Sequence, residues 1–173
     1  AGYPDGFEVT MDCPNNRYVN DEKICQAVVS MLAKVGVKVD LLAQPKSKYF
    51  GKVLATGGFD TSFYLLGWTP GTMDSENVLS SLLSCQNKET KVGLFNLGNY
   101  CNPKVDELTK KVGSETDQGQ RNAMIKEIFQ TVKTEYGYLP LHQQPLSWGV
   151  SDRVTVSQRA DNGLDFRYVV VNK

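Results

Sequence analysis

The apolar residues of this chain change period as it proceeds. Phe7, Val9 and Met11 alternate with polar residues, the period-two pattern of a half-buried strand. Ile24, Ala27, Val28, Met31 and Val35 then fall on one helical stripe, with Asn20 as the expected cap, Asp21 and Glu22 in the first turn, and Gly36 as the stop. Val37, Val39 and Leu41 alternate as a second strand. Pro45 and Ser47 open another helix, carrying Tyr49, Phe50, Val53 and Leu54, for which Ala55-Thr56-Gly57-Gly58 is the expected stop. Phe63 to Leu66 is a short continuous apolar run closed by Gly67, which predicts a strand buried on both faces.

After a loop containing Trp68, Ser75 is the expected N-cap of a helix with Glu76 in its first turn and Val78, Leu79, Leu82 and Leu83 at helical spacing. Residues 86–102 are polar and rich in Asn and Gly, a long loop of the kind that is usually functional or tied down. Asn102-Pro103 opens a helix with Val105, Leu108 and Val112 inward. Asp117 and Gln120 resemble a capping box for a longer helix bearing Ile125, Ile128, Phe129 and Val132. From Leu139 the pattern turns extended: Leu139–Leu141, Leu146–Val150, Val154–Val156 and Tyr168–Val171 read as strands or edge segments. The β-α-β-α-β alternation at the start predicts an α/β fold with a largely parallel sheet flanked by helices.

Composition narrows the classes of function. The 173 residues are 40% hydrophobic and carry 19 basic and 19 acidic side chains without blocks, enough for one domain core and no electrostatic footprint for nucleic acid. No apolar run reaches the roughly 20 residues of a membrane span. The N-terminus has no basic region followed by an apolar segment, and the opening Ala1-Gly2-Tyr3-Pro4-Asp5-Gly6-Phe7 is what processing or truncation would leave. Cysteines at 13, 25, 85 and 101 allow three connectivities; the sequential one closes two short loops worth about 3 kcal/mol each and implies an oxidising compartment. Four reduced, partly buried thiols are the other reading. No cysteine pair has the close spacing of a zinc site and His142 is the only histidine, so neither metal nor cofactor is expected.

The chemistry-bearing residues are few. His142, in Leu-Pro-Leu-His-Gln-Gln, reads first as a packed, hydrogen-bonded side chain; a small secreted hydrolase using it with a carboxylate is the alternative. No Gly-rich phosphate loop follows a strand. Arg17, in Cys-Pro-Asn-Asn-Arg-Tyr between the first strand and first helix, is placed to offer a guanidinium to a ligand carboxylate, against an ion pair with Asp12 or Asp21. Trp68 offers an aromatic face at the neighbouring strand end, against plain core packing. Parallel strands one and three bring their carboxyl ends to one rim, the usual ligand position in open α/β sheets.

Gly-Phe-Glu-Val-Thr-Met at residue 6, Met31-Leu-Ala-Lys-Val-Gly-Val-Lys-Val, Leu66-Gly-Trp-Thr, Leu82-Leu-Ser-Cys, Asn102-Pro-Lys-Val-Asp and Leu139-Pro-Leu-His-Gln-Gln occur in an order that resembles the oligopeptide/dipeptide/nickel-binding family of ABC-importer periplasmic receptors. The resemblance implies a type II periplasmic-binding-protein lobe that closes on a ligand and docks on membrane permease subunits, not an enzyme. Family members are about three times longer. Residues 1–173 would then be a single lobe, the C-terminal part of a bilobed receptor, with 139–173 an extended segment returning toward the first lobe. Arg17 matches the arginine that holds a peptide's terminal carboxylate, and Gly67, Trp68 and Thr69 match a strand end that contacts the peptide backbone. Cys85 and Cys101 match a disulfide found in some members. An Asp three residues after the Trp grips the α-amine in peptide binders; here that position is Gly71, and Asp74 lies nearby out of register. The candidate ligand-contacting set is therefore Asn16, Arg17, Gly67, Trp68, Thr69 and Asp74, and the expected ligand is a peptide-like or small acidic solute.

Overall fold

A computed structural model describes residues 2–54 and 60–172. Strand β1 (Phe7–Pro14) lies at the centre of a three-stranded sheet, with β2 (Val37–Gln44) on one side and β3 (Phe63–Tyr64) on the other. Both pairings are parallel, Phe7 through Pro14 matching Val37 through Gln44, and Met11 and Asp12 matching Phe63 and Tyr64. Helices α1 (Asp21–Ala33) and α2 (Lys46–Val53) make the connections, as the change of period required. The expected stop at 55–58 lies outside the described residues.

Two details of α1 differ from the sequence expectation. Asn20 adopts a left-handed backbone (φ 57°) and makes no side-chain cap. The buried positions are Asp21 and Cys25; of the expected stripe Val28 packs partly buried beside them, whereas Met31 and Val35 are 64% and 74% exposed. The physical reason is a disulfide from Cys25 to Cys13, which draws that face of the helix onto the sheet. Both cysteines are fully buried and pack with Met11, Val39, Leu41, Phe63 and Leu65. The other face of β1 holds Asp12, 1% exposed, whose carboxylate accepts a 2.8 Å bond from Lys52 of α2.

A second core lies among the later helices. The chain turns through α3 (Ser75–Val78) into a π-turn over Leu79–Leu83, then α4 (Pro103–Ser114) and α5 (Gln118–Thr134). The expected continuous helix is thus widened after one turn: the Ser84 N–H reaches back five residues to the Leu79 carbonyl, and the Ser84 hydroxyl donates to that same oxygen. Leu79, Leu82, Leu83, Val105, Val112, Ile128 and Val132 form its centre. Leu65 packs on the first core, Leu66 and Trp68 on the second. Strand alternation therefore makes the β3 exit the seam that joins the two.

Asn102 and Asp117 cap α4 and α5 as their spacing predicts, each accepting a backbone N–H. The reciprocal half of the box at α5 comes from Glu115, which accepts the Asp117 N–H, not from Gln120. The 86–102 loop is tied down by a Cys85–Cys101 disulfide and by buried Asn96, whose amide donates to the Ser84 and Tyr100 carbonyls.

The C-terminal expectation needs most correction. Of the four anticipated strands only β4 (Val154–Thr155) and β5 (Val170–Val171) pair, antiparallel and apart from the main sheet. Residues 139–150 form no regular element, and Tyr168 sits in a 3-10 turn over Phe166–Tyr168. Pro140 and Pro145 lack ladder donors, and apolar side chains such as Leu139 (82% exposed) have no described neighbour to pair against.

Candidate ligand-binding site

Because β1 and β3 run parallel, Pro14 and the residues after Tyr64 emerge on one rim. The Leu65 N–H still bonds the Asp12 carbonyl, and the Tyr49 hydroxyl donates to the Leu65 carbonyl at 2.7 Å, so the β3 exit is fixed from both sides. Burial pushes the Tyr49 hydroxyl pKa up, keeping it a donor.

The 15–20 loop is held by its own polar groups. The Asn15 N–H bonds the Gln44 carbonyl, and the Asn16 side-chain oxygen accepts the Lys46 N–H at 2.7 Å, satisfying a donor at the start of α2. Buried Asp21 accepts the N–H groups of Arg17 (2.8 Å), Tyr18 (3.0 Å) and Glu22 (2.9 Å). Asp21 therefore organises this loop in place of the expected Asn20 cap. Both carboxylates weighed as ion-pair partners for Arg17 are otherwise engaged, Asp12 with Lys52 and Asp21 with backbone. Among the described residues no carboxylate pairs with the exposed Arg17 guanidinium, which lies 4.9 Å from the centre of the Tyr18 ring.

Tyr18 crosses the rim. Its hydroxyl donates to the Gly67 carbonyl at 3.3 Å, and a Cβ on residue 67 would stand 2.7–3.1 Å from three ring atoms. Glycine at 67 thus serves close approach of a ring, and the structure brings Arg17, Tyr18, Gly67 and Trp68 together. Trp68 packs as the core reading expects: its ring lies on the second core and 4.8 Å from Phe95, while its N–H donates to Asn77 at 3.0 Å. What it offers a ligand is ring surface without a donor. Thr69 and Gly71 are exposed, and a side chain at 71 would meet open space.

Asp74 is committed elsewhere. It, rather than Ser75, caps α3 by accepting the Glu76 N–H at 2.7 Å, and it pairs with Arg121 at 2.7 Å. The hydrogen bond from Arg121 holds its carboxyl below the usual carboxylate range, helped by the Glu76 N–H. Arg121 is fixed in turn by donating to the Val112 carbonyl. A cleft of about 400 Å³ beside this pair is lined by Asp74, Glu76, Glu115 and Arg121 but not by Arg17 or Trp68.

Sequence reasoning assigned no role to Tyr18 or Gln144. The Gln144 side-chain oxygen accepts the Val19 N–H at 3.0 Å across 125 positions, bringing the C-terminal segment to the rim. A signal existed only for Tyr18, as an aromatic beside Arg17. His142 is exposed and, among the described residues, has no hydrogen-bonded carboxylate or nucleophile, so the hydrolase alternative has no support.

Known proteins resemble this chain in sequence and fold. Residues 1–90 match the family described as bacterial extracellular solute-binding proteins, family 5 Middle. The glutathione-binding protein GsiB of Salmonella typhimurium is 27% identical over 157 residues, covering 90% of this chain and 30% of the relative. Di/tripeptide-binding protein 1 of Pseudomonas aeruginosa is 26% identical over 144 residues, 82% of this chain and 26% of its own length. The chain thus spans about 30% or less of these curated relatives. Among solved structures, the dipeptide-binding protein from Pseudoalteromonas sp. SM9913 in complex with Met-Leu superposes with TM-score 0.67 at 26% identity, covering 79% of this chain and 26% of that one. The substrate-binding domain of an oligopeptide ABC transporter from Bacillus anthracis shares the fold at TM-score 0.79 and 20% identity, covering 98% and 32%. The fold is that of a type II periplasmic binding protein, and the chain belongs to the family 5 bacterial extracellular solute-binding proteins.

Proposed function

We propose that this chain supplies one ligand-facing lobe of a periplasmic solute receptor serving an ABC importer, and that Arg17 anchors the carboxylate of a peptide-like or small acidic solute. The observation that carries the reading is an exposed guanidinium on a fixed loop, at the carboxyl ends of parallel strands, with no described acidic partner. Such a group suits bidentate recognition of a carboxylate. Trp68 lines the rim beside it with its ring, Gly67 and Thr69 contribute backbone, and Asn16 acts by holding the loop on α2.

Asp74 has no place in this contact set, since its carboxylate caps a helix and pairs with Arg121. With glycine at 71 and Asp74 engaged by Arg121, neither of these two described positions offers a free counter-charge for an α-ammonium, and burying one unpaired is unfavourable. The preferred solute therefore has a carboxylate and no free α-amine. Residues 139–173, touching the rim through Gln144, run on toward the receptor's other lobe, and permease subunits are the downstream partners. Two disulfides accord with an oxidising, periplasmic setting, and the chain's role is binding rather than catalysis.

The test is calorimetric titration of the receptor carrying this chain with N-acetyl-Ala-Leu and with its C-terminal amide. Wild type is expected to prefer the acid, and Arg17→Ala to lose roughly ten- to hundredfold of acid affinity while leaving the amide little changed, from the strength of charge-assisted hydrogen bonds. Equal acid and amide binding by wild type, or an unaffected Arg17→Ala, would refute the carboxylate-anchor role.

A further inference from the structure

Tyr18 belongs to no expected contact, yet it touches Asp21, Gly67 and Arg17. Its backbone N–H bonds Asp21, the residue that also holds the Arg17 N–H. Its hydroxyl reaches the Gly67 carbonyl, and its ring occupies the space a side chain at 67 would fill. Above that ring lies the Arg17 guanidinium, 4.9 Å from the centroid.

We infer that Tyr18 is a positioning residue for the ligand carboxylate: its ring, lying against Gly67, forms the platform that aims Arg17 across the rim. An arginine side chain in water samples many rotamers, and each must be given up when it grips a carboxylate. A ring beneath the guanidinium removes part of that loss before the ligand arrives. A guanidinium held face-on to a ring keeps its edge N–H donors free for a carboxylate. Gly67 is the complementary condition, because the platform exists only where residue 67 has no Cβ. In this arrangement the ligand carboxylate meets the guanidinium edge while the Tyr18 ring backs the guanidinium.

This inference rests on the carboxylate-anchor reading above, and two kinds of measurement separate them. In the 173-residue chain without ligand, NMR of the Arg17 Hδ protons should show an upfield ring-current shift that persists in Tyr18→Phe and disappears in Tyr18→Leu. In the receptor, titration with N-acetyl-Ala-Leu should show Tyr18→Phe within about twofold of wild type. Tyr18→Leu should weaken acid binding roughly two- to fivefold, the range of an exposed cation–π contact, with the C-terminal amide unchanged. Rescue by Phe and selectivity for the acid are readouts that a merely structural role would not move. If Arg17→Ala discriminates acid from amide while Tyr18→Leu weakens both equally or neither, the positioning role is overturned and the anchor stands. If Arg17→Ala does not discriminate, both fall.

Discussion

The Cys13–Cys25 bridge encloses the 15–20 loop that carries Arg17, so removing it tests how fold and site are linked. Consider Cys13→Ala/Cys25→Ala beside Cys85→Ala/Cys101→Ala. The two bridges have sequence separations of 12 and 16, so chain entropy predicts nearly equal losses of about 3 kcal/mol each. Burial separates them: Cys13 and Cys25 are 0% exposed inside the first core, whereas Cys85 is half-buried and Cys101 exposed. Two buried sulfurs, taken as methylene-sized, add about 1.5 kcal/mol for the first pair. At roughly 2–4 °C per kcal/mol for a chain of this length, the first double variant should melt about 9–18 °C below wild type and the second about 6–12 °C below. Calorimetric melts of both in one buffer check this, with the gap of about 3–6 °C between them as the informative quantity. A Cys85/Cys101 variant that loses as much as the Cys13/Cys25 variant, or more, would refute the burial argument.

Two further outcomes follow from the rim. Asp74→Ala should cost about 1 kcal/mol in urea denaturation at neutral pH, the usual value of an N-cap, yet leave affinity for N-acetyl-Ala-Leu unchanged. Because Arg121 lowers the folded pKa of Asp74, its contribution is complete above the unfolded value of about 3.9 and is lost as pH falls through the lower folded value, so Asp74→Ala should flatten the acid limb of the stability profile. Gly71→Asp meets open space and should raise affinity for unmodified Ala-Leu relative to its N-acetyl form by about tenfold, read by the same titration.

The first half of the fold was legible because period-two and helical spacing alternate there without conflict, and the observed β1, α1, β2 and α2 follow that order. Caps were legible where proline or a three-residue spacing fixed them, as at Asn102 and Asp117. They were not legible at Asn20 and Ser75, where a neighbouring aspartate competes for the same donors and tertiary contacts decide: Asp21 gathers three N–H groups, and Asp74 also answers Arg121. Apolar spacing in α1 locates Val28 but not the most buried position, Cys25, because a disulfide rather than hydrophobic period draws that face onto the sheet. Apolar alternation after Leu139 read as strands, but a strand also needs a partner edge, and the described chain provides one only for Val154–Thr155. At the site, Arg17 and Trp68 were legible as residue types at strand ends. Tyr18 was not, because its role depends on a ring crossing to a glycine 49 positions away.

The central claim is that Arg17 receives a ligand carboxylate on this rim, and a crystal structure of the receptor with its co-purified solute tests it most directly. The account predicts a carboxylate gripped by the Arg17 guanidinium through two contacts of about 2.7–2.9 Å, with the Trp68 ring against the solute and no ammonium near Gly71. A solute whose carboxylate is held elsewhere, with Arg17 still facing solvent over Tyr18, would contradict it.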